Sequence, residues 1–208
     1  MSQIIVAKNR NGIVLAAENR GVQLDPEGHE ISLQIERIFP LASHGALVVV
    51  GAAEGVEMGM ALKRFLQGEG LHDILDLYGA GLAFLSTEYE RFMRKKCELL
   101  PIDPIHHVSF VLAGRTAKEA DEPFRLYYLW TKKKLPHLDG DEISHAFSLP
   151  RRMGLEFQLN KMAKGGVPLE RLIEKTREAV NRLRTQGEIL GTVSFAAIRH
   201  EGYQSLNP

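Results

Sequence analysis

The chain predicts an α+β fold in which a pair of β-sheets lies between two layers of helices, and three observations carry that prediction. Strand-like apolar segments come first, then two helical stretches, more strands, two further helices and closing strands, an order that suits stacked layers. The run Ala46-Leu47-Val48-Val49-Val50-Gly51 is apolar throughout, as in a strand covered on both faces. Leu169, Leu172, Ile173, Thr176, Val180 and Leu183 trace one stripe at helical spacing, the mark of a helix laid on a core. At 208 residues the chain fits one domain, 1–208, large enough to bury most of its apolar surface without disulfides or metal.

Taken in order, Ile4 to Ala7 and Ile13 to Ala17 read as a tight hairpin turned at Asn11-Gly12, because Asn-Gly supplies the positive φ angles of such a turn. Gly21 to Glu30, with Pro26 and Gly28, reads as a loop. Ile31 to Leu41 reads as one strand with Ile35, Ile38, Phe39 and Leu41 as its apolar members. After Gly51, Ala52-Ala53-Glu54-Gly55 leads into a helix with Val56, Met60, Phe65 and Leu66 on one face. His72 to Leu100 is a long amphipathic stretch ended by Pro101 and Pro104. His107 to Gly114 and Phe124 to Trp130 read as paired strands across the polar turn Arg115 to Pro123, and a short strand covers Ile143 to Leu149. Arg151 to Lys164 is a helix stopped by Gly165-Gly166, and Pro168 starts the next, where its missing amide costs nothing. Gly191 to Arg199 and Gly202 to Leu206 form a closing hairpin.

Composition narrows the function. Lys plus Arg (26) equals Asp plus Glu (26), which argues against a dedicated nucleic-acid or membrane-surface protein. A lone cysteine, Cys97, excludes an internal disulfide framework and points to a reducing compartment. No apolar run approaches ~20 residues and no secretion signal opens the chain, so a cytoplasmic protein is expected.

Ile4-Ile5-Val6-Ala7, the run Asn11 to Glu18, and Arg20 resemble the opening of a proteasome β-type subunit or its bacterial HslV-type relative, in the N-terminal-nucleophile (Ntn) hydrolase family. The resemblance implies a four-layer αββα sandwich. It covers nearly the whole chain, although only the first fifty residues carry specific motifs. Laid without a gap on the family's pattern, Ser2 falls on the nucleophile, Glu18 on the acid and Arg20 on the arginine. Arg37 stands where the family has its catalytic lysine, and Gly51 where a backbone amide faces the tetrahedral intermediate. Of the late positions at which the family supports its terminal amine with an aspartate and serines, two hold Thr185 and Glu188, and Ser148 is a further candidate.

The chemistry so implied begins with loss of Met1, which makes Ser2 the first residue. Its hydroxyl attacks a peptide carbonyl with its own α-amine as base; that amine titrates near pH ~8, so a useful fraction is neutral at pH 7. An arginine with a pKa above ~12 keeps its proton, so Arg37 stabilises negative charge and does not relay a proton. The expected substrate is a peptide or unfolded protein, hydrolysed inside a self-compartmentalising homo-oligomer, a ring or related assembly, with an unfoldase as a possible partner. Neither cofactor nor metal is implied. Acyl transfer to an amine shares the same acyl-enzyme and stays open. A second reading makes the chain an inactive subunit that keeps the sandwich for assembly; subunits of the α type begin with an extra helix before the first strand, and a β-like chain without one is expected here.

Other polar groups read more simply. Glu18 and Arg20 also suit a structural ion pair, and Arg37 its completion. His106 and His107 on a strand point to opposite faces. Asp139, Asp141, Glu142 and His145 match no calcium-loop spacing and read as a solvated turn. Lys132-Lys133-Lys134 reads as an exposed strand end.

Overall fold

The computed structural model describes residues 3–24, 27, 29–97, 107–132 and 137–206. Twelve strands and four helices lie among them. In chain order they are β1 (Ile4–Asn9), β2 (Gly12–Glu18), β3 (Arg20–Leu24), β4 (Glu30–Gln34), β5 (Ile38–Ala42), β6 (Gly45–Gly51), α1 (Glu54–Glu69), α2 (Ile74–Cys97), β7 (Val108–Arg115), β8 (Phe124–Trp130), β9 (Asp139–Glu142), β10 (Ala146–Leu149), α3 (Met153–Lys164), α4 (Leu169–Thr185), β11 (Val193–Ile198) and β12 (Tyr203–Ser205).

One five-stranded sheet runs β10-β1-β2-β11-β12, another runs β5-β6-β7-β8-β9, and β3-β4 stands as a separate hairpin. Every position of β1 and β2 is buried, because side chains of one strand alternate between two covered faces. Ile4, Val6, Ile13 and Leu15 point into a core shared with Val48, Val111 and Leu126 of the second sheet. Ile5, Ala7, Val14 and Ala16 point the other way, onto Leu159 of α3 and Leu172, Val180 and Leu183 of α4. The second sheet turns its other face, with Leu47, Val49, Phe110 and Leu112, toward Leu62 and Leu66 of α1 and Leu77 and Leu85 of α2. Three apolar cores thus separate four layers: helices, sheet, sheet, helices.

Several local expectations need correction. The hairpin register pairs Asn9 with Gly12, so its two-residue loop is Arg10-Asn11. No non-glycine residue described has positive φ. The loop is held by Asn9 Oδ1, which accepts the Asn11 amide at 2.8 Å, and by the Asn9 side-chain amide on the Val167 carbonyl at 2.7 Å. Gly12 serves close approach: a Cβ there would sit 2.6 Å from the Ile198 carbonyl and from Leu169. Gly21 to Leu24 is strand, paired with β4 from Arg20↔Gln34 to Leu24↔Glu30; the loop signals Pro26 and Gly28 lie outside the described residues. Ile31 to Leu41 is two strands, broken where Ile35 N–H turns to the Asn19 carbonyl and Arg37 turns inward. Ile143 to Leu149 is not one strand either, because residues 143–145 carry the chain from β9 in one sheet to β10 in the other. In α1, Met60 is 45% exposed and the buried face is Gly55, Met58, Gly59, Leu62 and Leu66, where two glycines let the helix approach Val49 and Val108. Pro101, Pro104, His106 and Lys133-Lys134 fall outside the described residues.

Candidate active site

The hairpin register brings Gln3 opposite Glu18 at the open end of β1 and β2. Glu18 N–H donates to the Gln3 carbonyl at 2.8 Å, and Gln3 N–H donates to Glu18 Oε2 at 3.2 Å. The other carboxylate oxygen, Oε1, accepts the amides of Leu190 at 2.8 Å and Gly191 at 2.9 Å from the turn before β11. Glu18 is 2% exposed, so three backbone N–H groups solvate a charge that water barely reaches.

Arg37 enters the same region from the break between β4 and β5 and is fully buried. Its Nη2 donates to the carbonyls of Arg20 at 2.9 Å and Gly51 at 3.1 Å, and its Nη1 to that of Val49 at 3.3 Å; Nε has no partner. Burial pushes its pKa down to about 10 while the Glu18 charge pulls it up, so the guanidinium is protonated at neutral pH. Gly51 closes β6 with φ +95°, and a Cβ there would overlap the His107 carbonyl oxygen. No other residue type fits that corner.

The structure therefore brings together Glu18, Arg37 and Gly51, joined by the backbone of Arg20. The Arg20 guanidinium takes another direction, its Nε donating to Ser32 Oγ in β4 at 3.1 Å. The expected pairing of the Glu18 and Arg20 side chains is not formed; the Glu18 carboxylate is held by three backbone amides instead. Ser2, one residue before Gln3, lies outside the described residues. Beside this cluster a cleft of about 350 Å³ runs between the β3-β4 hairpin and residues 190–192, lined by Asn19, Arg20, Gln34 and Leu190 among others.

The later positions behave differently from one another. Thr185 Oγ1 donates to the Asn181 carbonyl within its own helix and stays away from the cluster. Glu188 is close to it: Arg152 donates to Glu188 Oε2 and, at 3.1 Å, to Gln3 Oε1, while Gln3 Nε2 reaches the Glu188 carbonyl at 3.4 Å. Ser148, opposite Ile5 in the sheet, spends its hydroxyl on Glu156 at 2.7 Å and accepts the Arg152 amide at 2.9 Å. Glu156 also accepts Arg151 through Nε at 2.8 Å and Nη2 at 2.6 Å. Burial works against the Glu156 charge, but the bonds from Arg151 and Ser148 prevail and hold its pKa below the ordinary carboxylate value. Sequence reasoning missed Gln3, Arg151 and Arg152, whose roles depend on partners 149, 5 and 36 positions away.

The acidic segment is not a solvated turn: Asp139 to Glu142 form β9, paired with β8, and carboxylates within it are engaged by neighbouring side chains. Asp141 accepts Trp130 Nε1 at 2.9 Å and Lys132 at 2.8 Å, and Glu142 accepts Arg125 at 2.7 Å. Among the described residues no group of three or more His, Cys, Asp or Glu side chains is arranged to hold a metal, and no helix is long and apolar enough to cross a membrane. In comparison with known proteins, the chain matches no family model and no curated protein sequence.

Proposed function

We propose that the chain is a proteasome-like Ntn peptidase subunit with an αββα sandwich, acting in the cytoplasm as a homo-oligomer on peptide or unfolded-protein substrates, with Ser2 as nucleophile once Met1 is removed. One observation carries the reading: the amide of Gln3 is fixed by a buried carboxylate, Glu18, beside a cleft, and Arg37 from the β4-β5 break and Gly51 from the end of β6 converge on the same corner. In this scheme Ser2 Oγ attacks the carbonyl carbon of a peptide bond and its proton passes to the α-amine. The amine returns that proton to the departing peptide nitrogen, and water then hydrolyses the ester by the same route. A backbone amide at Gly51 receives the oxyanion, and protonated Arg37 lowers the cost of negative charge without accepting a proton. An unfoldase that feeds the chamber belongs to the same proposal.

A second reading, an inactive subunit kept for assembly, is favoured by one specific observation. Each bond from the Arg37 guanidinium ends on a backbone carbonyl, and each acceptor site used on Glu18 is filled by a backbone amide. Hydrolysis of fluorogenic peptides by the wild type and by Ser2→Ala separates the two. Loss of activity in the variant with assembly intact supports the peptidase; hydrolysis unchanged by Ser2→Ala moves the chemistry elsewhere, and none in either protein favours the inactive subunit.

A further inference from the structure

The far end of β1 carries a buried charge in a different setting. The Lys8 side chain is 6% exposed, and its Nζ donates to the Phe124 carbonyl at 3.1 Å. Its only other partner among the described residues, Glu142 Oε1, lies 3.5 Å away and is already held by Arg125 at 2.7 Å. An ammonium has three donors, so this buried one is incompletely satisfied. It lines a cavity of about 400 Å³, within the ~300–1,000 Å³ of small-molecule sites. His145 lines the same cavity with a buried Nδ1 that has no partner; burial and the charges of Lys8 and Lys164 hold its pKa below the ordinary histidine value, so the ring is neutral.

The walls carry opposite charge. Arg10 and Lys164 come from the β1-β2 loop and the end of α3, and Asp121 and Glu122 from the β7-β8 connection. Glu122 pairs with Arg125, outside the cavity lining, and no ion pair among the described residues joins the acidic wall to Arg10 or Lys164. A simple anion would meet two carboxylates, and a simple cation three basic groups. We infer that this cavity binds a small zwitterion, a free amino acid or dipeptide, with its carboxylate on Arg10 and Lys164 and its ammonium on Asp121 and Glu122. Lys8 gives its remaining N–H to a ligand oxygen. The site is separate from the chemistry given to Ser2, and its test requires no turnover.

Calorimetric titration of the full chain with glycylglycine, N-acetylglycylglycine and glycylglycine amide reads the inference directly. Glycylglycine is expected to bind one to one, and each capped form about tenfold more weakly, the scale of one charge-assisted hydrogen bond. Arg10→Gln and Asp121→Asn, both at exposed positions, should weaken glycylglycine by a similar factor with thermal unfolding unchanged, and Lys8→Met should weaken it at least as much. No binding at about millimolar ligand, equal affinity for free and capped forms, or affinity unmoved by Arg10→Gln and Asp121→Asn would each overturn it.

Discussion

The two ends of β1 bury charge in opposite ways. At the Gln3 end, Glu18 receives three backbone amides and Arg37 reaches three backbone carbonyls. At the Lys8 end, an ammonium nearly as inaccessible has one good hydrogen bond and a shared, distant carboxylate. A buried charge bound by several backbone groups fixes backbone, because removing it strands every group that solvated it. A buried charge with an open shell strands little and has capacity to spare for a ligand.

The largest effect expected from that contrast is at Glu18. Glu18→Ala leaves the amides of Gln3, Leu190 and Gly191 buried without an acceptor and should lower the unfolding free energy by about 3 kcal/mol or more in denaturant titration. A loss below about 1 kcal/mol would dissolve the contrast. Next comes Arg37→Met, which bares the carbonyls of Arg20, Val49 and Gly51 and should cost about 2 to 3 kcal/mol by the same measurement. Arg37→Lys should cost less, and in a peptidase assay it should raise turnover, because a lysine can exchange the proton that arginine retains.

A third effect is visible in pH dependence. The folded-state pKa of Glu156 lies below the ordinary carboxylate value of 4.5, so the stability it contributes is complete above that value and is lost as pH falls through the lower folded pKa. Unfolding free energies measured from about pH 6 down to pH 2 should decline, and Glu156→Gln should flatten that decline. The smallest effect belongs to Lys8→Met, expected to change stability by no more than about 1 kcal/mol, since a methionine stem fills the space and only the Phe124 carbonyl loses a close donor. A loss as large as that at Glu18 would make Lys8 a structural keystone and erase the difference between the two ends.

How far these features were legible in the sequence follows from the range of the interactions behind them. The β1-β2 strands, the apolar run of β6 and the stripe of α4 are local patterns, and each appears near the span its periodicity indicated. Glu18 and Gly51 were legible as positions because hairpin register and a strand-to-helix turn are themselves local. The placing of the loop at Arg10-Asn11 was not, since besides the local bond from Asn11 to Asn9 it depends on the Val167 carbonyl, more than 150 residues away. The break at residues 35–37 was hidden because Ile31, Ile35, Ile38, Phe39 and Leu41 spread apolar residues across the whole run, and it is the burial of Arg37 against β3 and β6 that separates the two strands. The Lys8 cavity left no motif at all: its walls come from the β1-β2 loop, the β7-β8 connection and α3, and single charged residues in such places look like ordinary surface.

The central claim, that this chain works through a serine at a trimmed N-terminus, meets its most direct test in mass spectrometry of the intact protein before and after treatment with an electrophile that captures terminal hydroxyl nucleophiles. The account predicts a mass lower by one methionine, then a single adduct that peptide mapping places on Ser2 and that Ser2→Ala abolishes. A chain that retains Met1, or an adduct mapped to any other residue, would contradict it.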